Sequence, residues 1–253
     1  MIGQGRILTF ILAIGISLTW SSALSQNMDI YLVIGQSNMA GRAAIPENLS
    51  QPLEGIFLFT GDMSDLWVPA SNPLNIHSSI RKEASMQRLG PAYAFAVKTK
   101  ENHPDKLLGL VVNARGGSTI NEWLPGSHFF NEIIGRAKQA RLFGSIAGVI
   151  WHQGESDVNR TDEYMGDLKQ LIEGLRKELD LPQLPFVAGQ LSADTEERRA
   201  FNQMLLALPE QVPYTQVALS HETETFDGTH FDTASQLTMG ERYAESMDIL
   251  IYK

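Results

Sequence analysis

The sequence predicts an α/β protein with a parallel sheet covered by helices on both faces. Three observations predict it. Short apolar runs, each closed by Gly or a polar cluster, recur along the chain. Helical stretches separate most of them. The runs are continuously apolar rather than alternating, as in strands buried on both sides.

Asp29 to Gly35 (DIYLVIG) opens the series and ends on Gly. Ile56 to Thr60 is the second candidate strand, and Leu107 to Asn113 (LLGLVVN) the third. Ala147 to His152 (AGVIWH), Phe186 to Gln190 and Thr215 to Ser220 complete the set. Pro91 to Glu101 is helical, with Pro in its first turn. Phe129 to Leu142 spaces Phe130, Ile133, Ile134, Ala137 and Ala140 along one helical face. Thr161 to Leu179 is predicted to open on Thr161 as N-cap, with Asp162 and Glu163 in the first turn and Leu168, Leu171, Ile172 and Leu175 on one side. Thr195 to Leu208 and Thr233 to Ile251 are the last two helices. No repeat, low-complexity segment or linker interrupts the alternation, so residues 26–253 read as one domain.

Composition narrows the function. The 253 residues carry 20 Lys+Arg against 29 Asp+Glu, a formal charge of −9, which disfavours a broad nucleic-acid surface. The chain has no Cys. Disulfides, thiolate metal sites, a Cys nucleophile and a lipid-anchoring N-terminal Cys are therefore excluded.

Residues 1–25 have the three-part layout of a secretory signal. Arg6 supplies the positive region, Ile7 to Trp20 is uncharged and largely apolar, and Ala23-Leu24-Ser25 places small residues before a cleavage point at Gln26. The run is shorter than the ~20 residues that span a bilayer, so cleavage is expected over anchoring. A secreted or periplasmic protein with no lasting membrane anchor follows. Asn48-Leu49-Ser50 and Asn159-Arg160-Thr161 match the glycosylation sequon, a weak signal that matters only in a eukaryotic host.

In a parallel sheet, ligands bind beyond the carboxyl ends of the strands. Polar clusters stand at those ends. After the first strand comes Gly35-Gln36-Ser37-Asn38-Met39-Ala40-Gly41-Arg42. Ser37 can present its hydroxyl there as a nucleophile, or cap a helix starting near Asn38. Met39 takes the place of the second Gly of a G-x-S-x-G elbow. After the third strand, Asn113-Ala114-Arg115-Gly116-Gly117-Ser118 offers backbone N–H groups to an anion or makes an ordinary turn. After the fourth, Trp151-His152-Gln153-Gly154-Glu155-Ser156-Asp157 begins at the strand itself, which points to a hydrogen-bonded network. Near the C-terminus, Phe226-Asp227-Gly228-Thr229-His230-Phe231 permits a tight turn in which Asp227 orients His230 as a base for Ser37.

His221 is the rival base. His77 and His103 sit in polar, loop-like surroundings, and His128 opens a helix. A mixed metal site of His152, Glu155, Asp157 and His230 is conceivable, but the spacing matches no ligand signature. No P-loop or dinucleotide fingerprint is present, and no cofactor or metal is expected.

Together the four segments resemble the SGNH hydrolase superfamily, in its branch of carbohydrate esterase family six and sialate O-acetylesterase-like domains. The resemblance runs from about Tyr31 to Tyr243 and includes Trp123 and the segment Leu89-Gly90-Pro91 with Phe95-Ala96. It implies a three-layer α/β/α sandwich with a central five-stranded parallel sheet, flavodoxin-like in layout. It implies Ser37 as nucleophile, His230 as base and Asp227 as its orienting acid. It implies an oxyanion hole from the backbone N–H groups of Ser37 and Gly117 and the side-chain amide of Gln153. The superfamily's G-D-S-L is G-Q-S-N here, and its third-block Asn is Gln153; both changes belong to the carbohydrate-esterase branch. Arg115 and Glu155 are read as an ion pair joining two loops of the site.

The expected function is therefore an exported serine esterase that removes O-acetyl groups from carbohydrate, acetylated xylan or a related polysaccharide foremost. A sialate O-acetylesterase is the alternative. A carbohydrate-binding protein on an inactive esterase scaffold is a third reading. The presence of Ser37, Asp227 and His230 together argues against it.

Overall fold

The computed structural model describes residues 28–252, so the expected signal segment lies outside the described residues. All six expected strands form, and they share one sheet. They are β1 (Met28–Gly35), β2 (Ile56–Phe59), β4 (Leu107–Ala114), β5 (Gly144–His152), β6 (Phe186–Gly189) and β7 (Thr215–Ala218). A seventh, β3 (Trp67–Pro69), was not expected. It is short, half-buried and carries a Pro, which an edge position tolerates.

The order is β3-β2-β4-β1-β5-β6-β7. Every neighbouring pair is parallel except β2 with β3. The five-stranded parallel sheet is thus extended to seven, by β7 at one edge and antiparallel β3 at the other.

Helices cover both faces, and the strands show why their runs are continuously apolar. In β1, Ile30, Leu32 and Ile34 face one core, while Tyr31 and Val33 face the other. The first core is closed by α3 (His128–Ala140), α4 (Thr161–Leu179) and α5 (Glu196–Leu205), through Phe130, Ile133, Leu168, Leu171 and Phe201. The second is closed by α2 (Ala92–Asn102) and α7 (Thr233–Tyr252), through Phe95, Ala96, Met239, Tyr243 and Met247. Full burial of each large apolar side chain contributes about 1.5–3 kcal/mol, so the two cores hold the sheet rigid under its polar loops.

Local chemistry sets the helix ends. Thr195 caps α5 by accepting from the Arg198 N–H. The expected helix through Leu208 is instead broken after Leu205, and a short α6 (Leu208–Gln211) follows. Pro209 has no N–H to give back to Leu205, so the ladder stops there. Thr161 is not the N-cap of α4. Arg160 holds that position without a side-chain cap, and Asp162 and Glu163 occupy the first turn as expected. None of the helices among the described residues is long and apolar enough to cross a membrane.

Candidate active site

The strand order puts β1 between β4 and β5, so the polar segments after these three strands meet at one edge. Gly35 makes the meeting close. Its φ is +139°, and a Cβ there would lie 2.1 Å from the His152 carbonyl oxygen. Only glycine lets β1 end against β5 in this way. The chain then enters α1 (Ser37–Ala40), a single buried turn.

Ser37 stands at the start of that turn. His230 Nε2 lies 3.0 Å from Ser37 Oγ, and His230 Nδ1 lies 2.7 Å from Asp227 Oδ2. The other carboxylate oxygen of Asp227 accepts from the N–H groups of Thr229 and His230 at 3.0 and 2.7 Å. The slight burial of Asp227 works to raise its pKa, but the hydrogen bonds from the His230 ring and from these two N–H groups outweigh it. The carboxyl is held below its ordinary range, as a charged acceptor. Hydroxyl, imidazole and carboxylate in this order can move the hydroxyl proton onto the ring as the oxygen attacks. The structure thus brings Ser37, Asp227 and His230 together. Exposed Phe226 stacks on His230, with ring centroids 5.9 Å apart.

A second network fixes this turn to the sheet. Asn38 Nδ2 donates to Glu155 Oε1 and to the Thr229 carbonyl, at 2.6 and 3.1 Å. Asn38 Oδ1 accepts from the Phe231 N–H at 3.1 Å. The Glu155 side chain is only 4% exposed, and His152 Nε2 approaches its Oε1 at 3.4 Å. Burial pushes the Glu155 carboxyl up, but His152 and the Asn38 amide more than offset this, and the net direction is down.

Two expectations about these loops are corrected. Arg115 and Glu155 do not form an ion pair. Arg115 Nη1 donates to the carbonyls of Ile80 and Arg81, while Glu155 turns inward to Asn38. Nor does Gln153 present its amide to Ser37. Its Nε2 donates to the Ser118 carbonyl at 2.9 Å and to Asp157 Oδ2 at 2.6 Å. Its Oε1 accepts from Tyr164 at 2.9 Å. Both N–H groups are spent, so no donor remains for an oxyanion. What Gln153 does is hold the Gly117 loop: Asp157 Oδ2 also accepts from the Ile120 N–H, and Trp123 Nε1 donates to Ser118 Oγ.

Gln36 lies at the site. It lines a hollow of about 390 Å³ with Ser37, Gly116, Gly117 and His230. Gln36 Oε1 accepts from the Gly154 N–H at 3.5 Å, and its Nε2 has no acceptor among the described residues. The backbone N–H groups of Ser37 and Gly117 likewise lack acceptors among the described residues. Sequence reasoning missed Gln36 and Asn38. The signal available was an amide on each side of the candidate nucleophile, in a turn too tight to expose both.

The other candidates fall elsewhere. His221 Nε2 faces Arg242 Nη2 at 3.2 Å, and His103 pairs with Asp248 at 3.0 Å. His152 Nδ1 meets the Tyr243 hydroxyl at 3.0 Å, and Asp157 is engaged with Gln153. The suggested metal set of His152, Glu155, Asp157 and His230 therefore does not converge. No group of three possible ligands exists among the described residues.

Comparison with known proteins shows the family and the fold. A profile of the family described as "Carbohydrate esterase, sialic acid-specific acetylesterase" matches residues 27–248. A "probable carbohydrate esterase" of Arabidopsis thaliana is 33% identical over 178 residues, 62% of this chain and 66% of its own length, just under two thirds. An Arabidopsis crystal structure superposes with a TM-score of 0.78 at 26% identity, covering 90% of this chain and 99% of that one. A carbohydrate acetylesterase from Xanthomonas citri shares the fold, with a TM-score of 0.66 at 18% identity over 88% of this chain and 57% of its own. With a profile match over nearly all the described residues, the chain belongs to the sialic acid-specific acetylesterase family of carbohydrate esterases.

Proposed function

We propose that this chain is a serine O-acetylesterase acting on carbohydrate. The observation that carries the reading is the unbroken hydrogen-bonded line from Ser37 Oγ through the His230 ring to Asp227. Ser37 Oγ attacks the acetyl carbonyl while His230 Nε2 takes its proton. The tetrahedral intermediate collapses, the sugar oxygen leaves with that proton, and an acetyl-Ser37 remains. Water then attacks, again with His230 as base, and releases acetate. Asp227 keeps the ring in the tautomer that leaves Nε2 free to accept.

The developing oxyanion is met by the N–H groups of Ser37 and Gly117. Gln36 Nε2, rather than Gln153, is the side-chain donor we assign. Each such donor, removed singly in other enzymes, costs roughly 2.7–4 kcal/mol of transition-state stabilisation.

Acetylated xylan or a related polysaccharide is the substrate we favour, because the hollow is open to solvent and exposed Phe226 lays a flat ring on His230, which lines it. The family description supports a sialate ester as the second reading. Removal of residues 1–25 and export belong to the same proposal; the N-terminal sequence of protein recovered outside the cytoplasm tests them. Acetate release from acetylated xylan, O-acetylated sialic acid and acetylated peptidoglycan tests the substrate. A folded protein that releases acetate from none of these, and does not cleave 4-nitrophenyl acetate, would sink the enzyme reading in favour of a binding scaffold.

A further inference from the structure

We propose that Arg42 and Lys82 form an anion subsite beside Ser37, and that the natural ester sits on a carbohydrate bearing a carboxylate. The proposal rests on the esterase reading above and extends it.

The charge at the site runs against the charge of the chain. The whole sequence carries −9, yet three cations, Arg42, Lys82 and Arg198, line the hollow. The one carboxylate on that wall is Glu155, which faces inward to Asn38 and His152. Arg198 is committed to structure. It donates to Ser192 Oγ, the Gly228 carbonyl and Thr229 Oγ1, and lies 3.8 Å from Asp194. Arg42 is only half committed, and Lys82 makes no side-chain hydrogen bond among the described residues. Arg42 Nη1 donates to the carbonyls of Gly41 and Met86, which leaves Nη2 free. No carboxylate lies within ion-pair distance of Arg42 or Lys82 among the described residues.

Arg42 reaches a point beside Ser37, and Lys82 lies over the neighbouring Gly117. A Cβ on Gly116 would sit 2.5 Å from Arg42 Nη2 and 3.5 Å from Ser37 Cβ. The guanidinium and the serine therefore flank the same point, and residue 116 must lack a side chain for both to reach it. A Cβ on Gly117 would sit 3.4 Å from Lys82 Nζ. The Arg42 guanidinium is partly buried, and desolvation lowers its pKa. A desolvated cation with no counter-charge is costly, and an incoming anion relieves that cost. The adjoining hollow carries the charge onward, with Arg81, Lys82 and Arg115 against Glu83.

The ligand chemistry follows. A guanidinium fork with a free edge suits the two oxygens of a carboxylate, and Lys82 adds a point charge. That carboxylate can belong to the acetylated sugar itself, as in a sialic acid, or to a uronic acid attached beside an acetylated neutral sugar.

Lys82→Glu and Arg42→Gln test the subsite with four esters. They are O-acetylated sialic acid, an acetylated xylo-oligosaccharide carrying glucuronic acid, the same oligosaccharide without it, and 4-nitrophenyl acetate. Wild type should prefer at least one acidic ester. Each variant should lower the acidic-to-neutral ratio of kcat/KM by about tenfold, through KM. Raising the salt should shrink the wild-type preference in the same way. The acidic ester that responds identifies where the carboxylate sits. Arg42→Gln removes donors from two carbonyls and can unfold the turn, in which case exposed Lys82→Glu carries the test alone. Equal losses on acidic and neutral esters would overturn the subsite and move the cations to the oxyanion, and so would a wild type with no acidic preference. Hydrolysis of no ester at all would instead remove the esterase reading beneath it.

Discussion

Asn38 donates from one amide nitrogen to both Glu155 and the Thr229 carbonyl, at 2.6 and 3.1 Å. This one side chain ties the nucleophile's turn, the loop after β5 and the Asp227–His230 turn into a single unit. The 3.0 Å approach of His230 to Ser37 therefore depends on a buried network that never touches the reacting atoms.

Ser37→Ala should remain folded and lose turnover, with kcat falling by on the order of 10⁶. A fluorophosphonate probe should label wild type on the peptide carrying Ser37 and leave the variant unlabelled. Normal turnover by a folded variant would remove Ser37 from the mechanism.

Asp227→Asn should keep the fold and cut kcat by about 10⁴, because an amide favours the wrong tautomer of His230. The turn itself should survive, since the remaining side-chain oxygen can still accept from the Thr229 and His230 N–H groups. Steady-state kinetics beside a circular-dichroism spectrum checks both halves.

Gln36→Ala and Gln153→Ala should separate cleanly. Gln36→Ala should lower kcat by roughly 10²–10³ with little change in KM or Tm. Gln153→Ala should act on stability, because it strips a donor from buried Asp157 and frees the Ser118 carbonyl. A loss of about 1–3 kcal/mol is expected, seen as a lower Tm. The opposite pattern, with Gln153→Ala fully stable and slow, would return the donor role to Gln153.

Glu155→Gln should change how stability depends on pH. The folded-state pKa of Glu155 lies below its ordinary value, so the carboxylate contributes stability that is complete above about pH 4.3 and lost as pH falls through the folded pKa. The variant lacks that contribution at every pH. Its Tm deficit, on the order of 5 °C near pH 7, should therefore shrink on the acid side. A deficit that stays constant from pH 7 to pH 3 would mean the charge contributes nothing.

The sequence by itself determined the sheet and the order of the chemistry along it. Continuous apolar runs are visible without coordinates because burial on both faces demands them, and all six were strands. Asp227 and His230 were legible as a pair because they are three residues apart in one turn, a local relation. The position of Ser37 at the end of β1 was legible for the same reason. Where contacts are made across the sheet, only the tertiary structure decided. Gln153 and Gln36 are both amides beside a strand end, and pattern cannot tell which has its N–H groups already taken. That depends on Ser118 and Asp157, brought in by β4 and by the turn before α4. Arg115 and Glu155 look like partners in a list of charges, but one reaches the Ile80 and Arg81 carbonyls and the other reaches Asn38. Hydrogen-bond donors are shared out by distance in space, so the assignment of each donor waits on the packing that sets those distances.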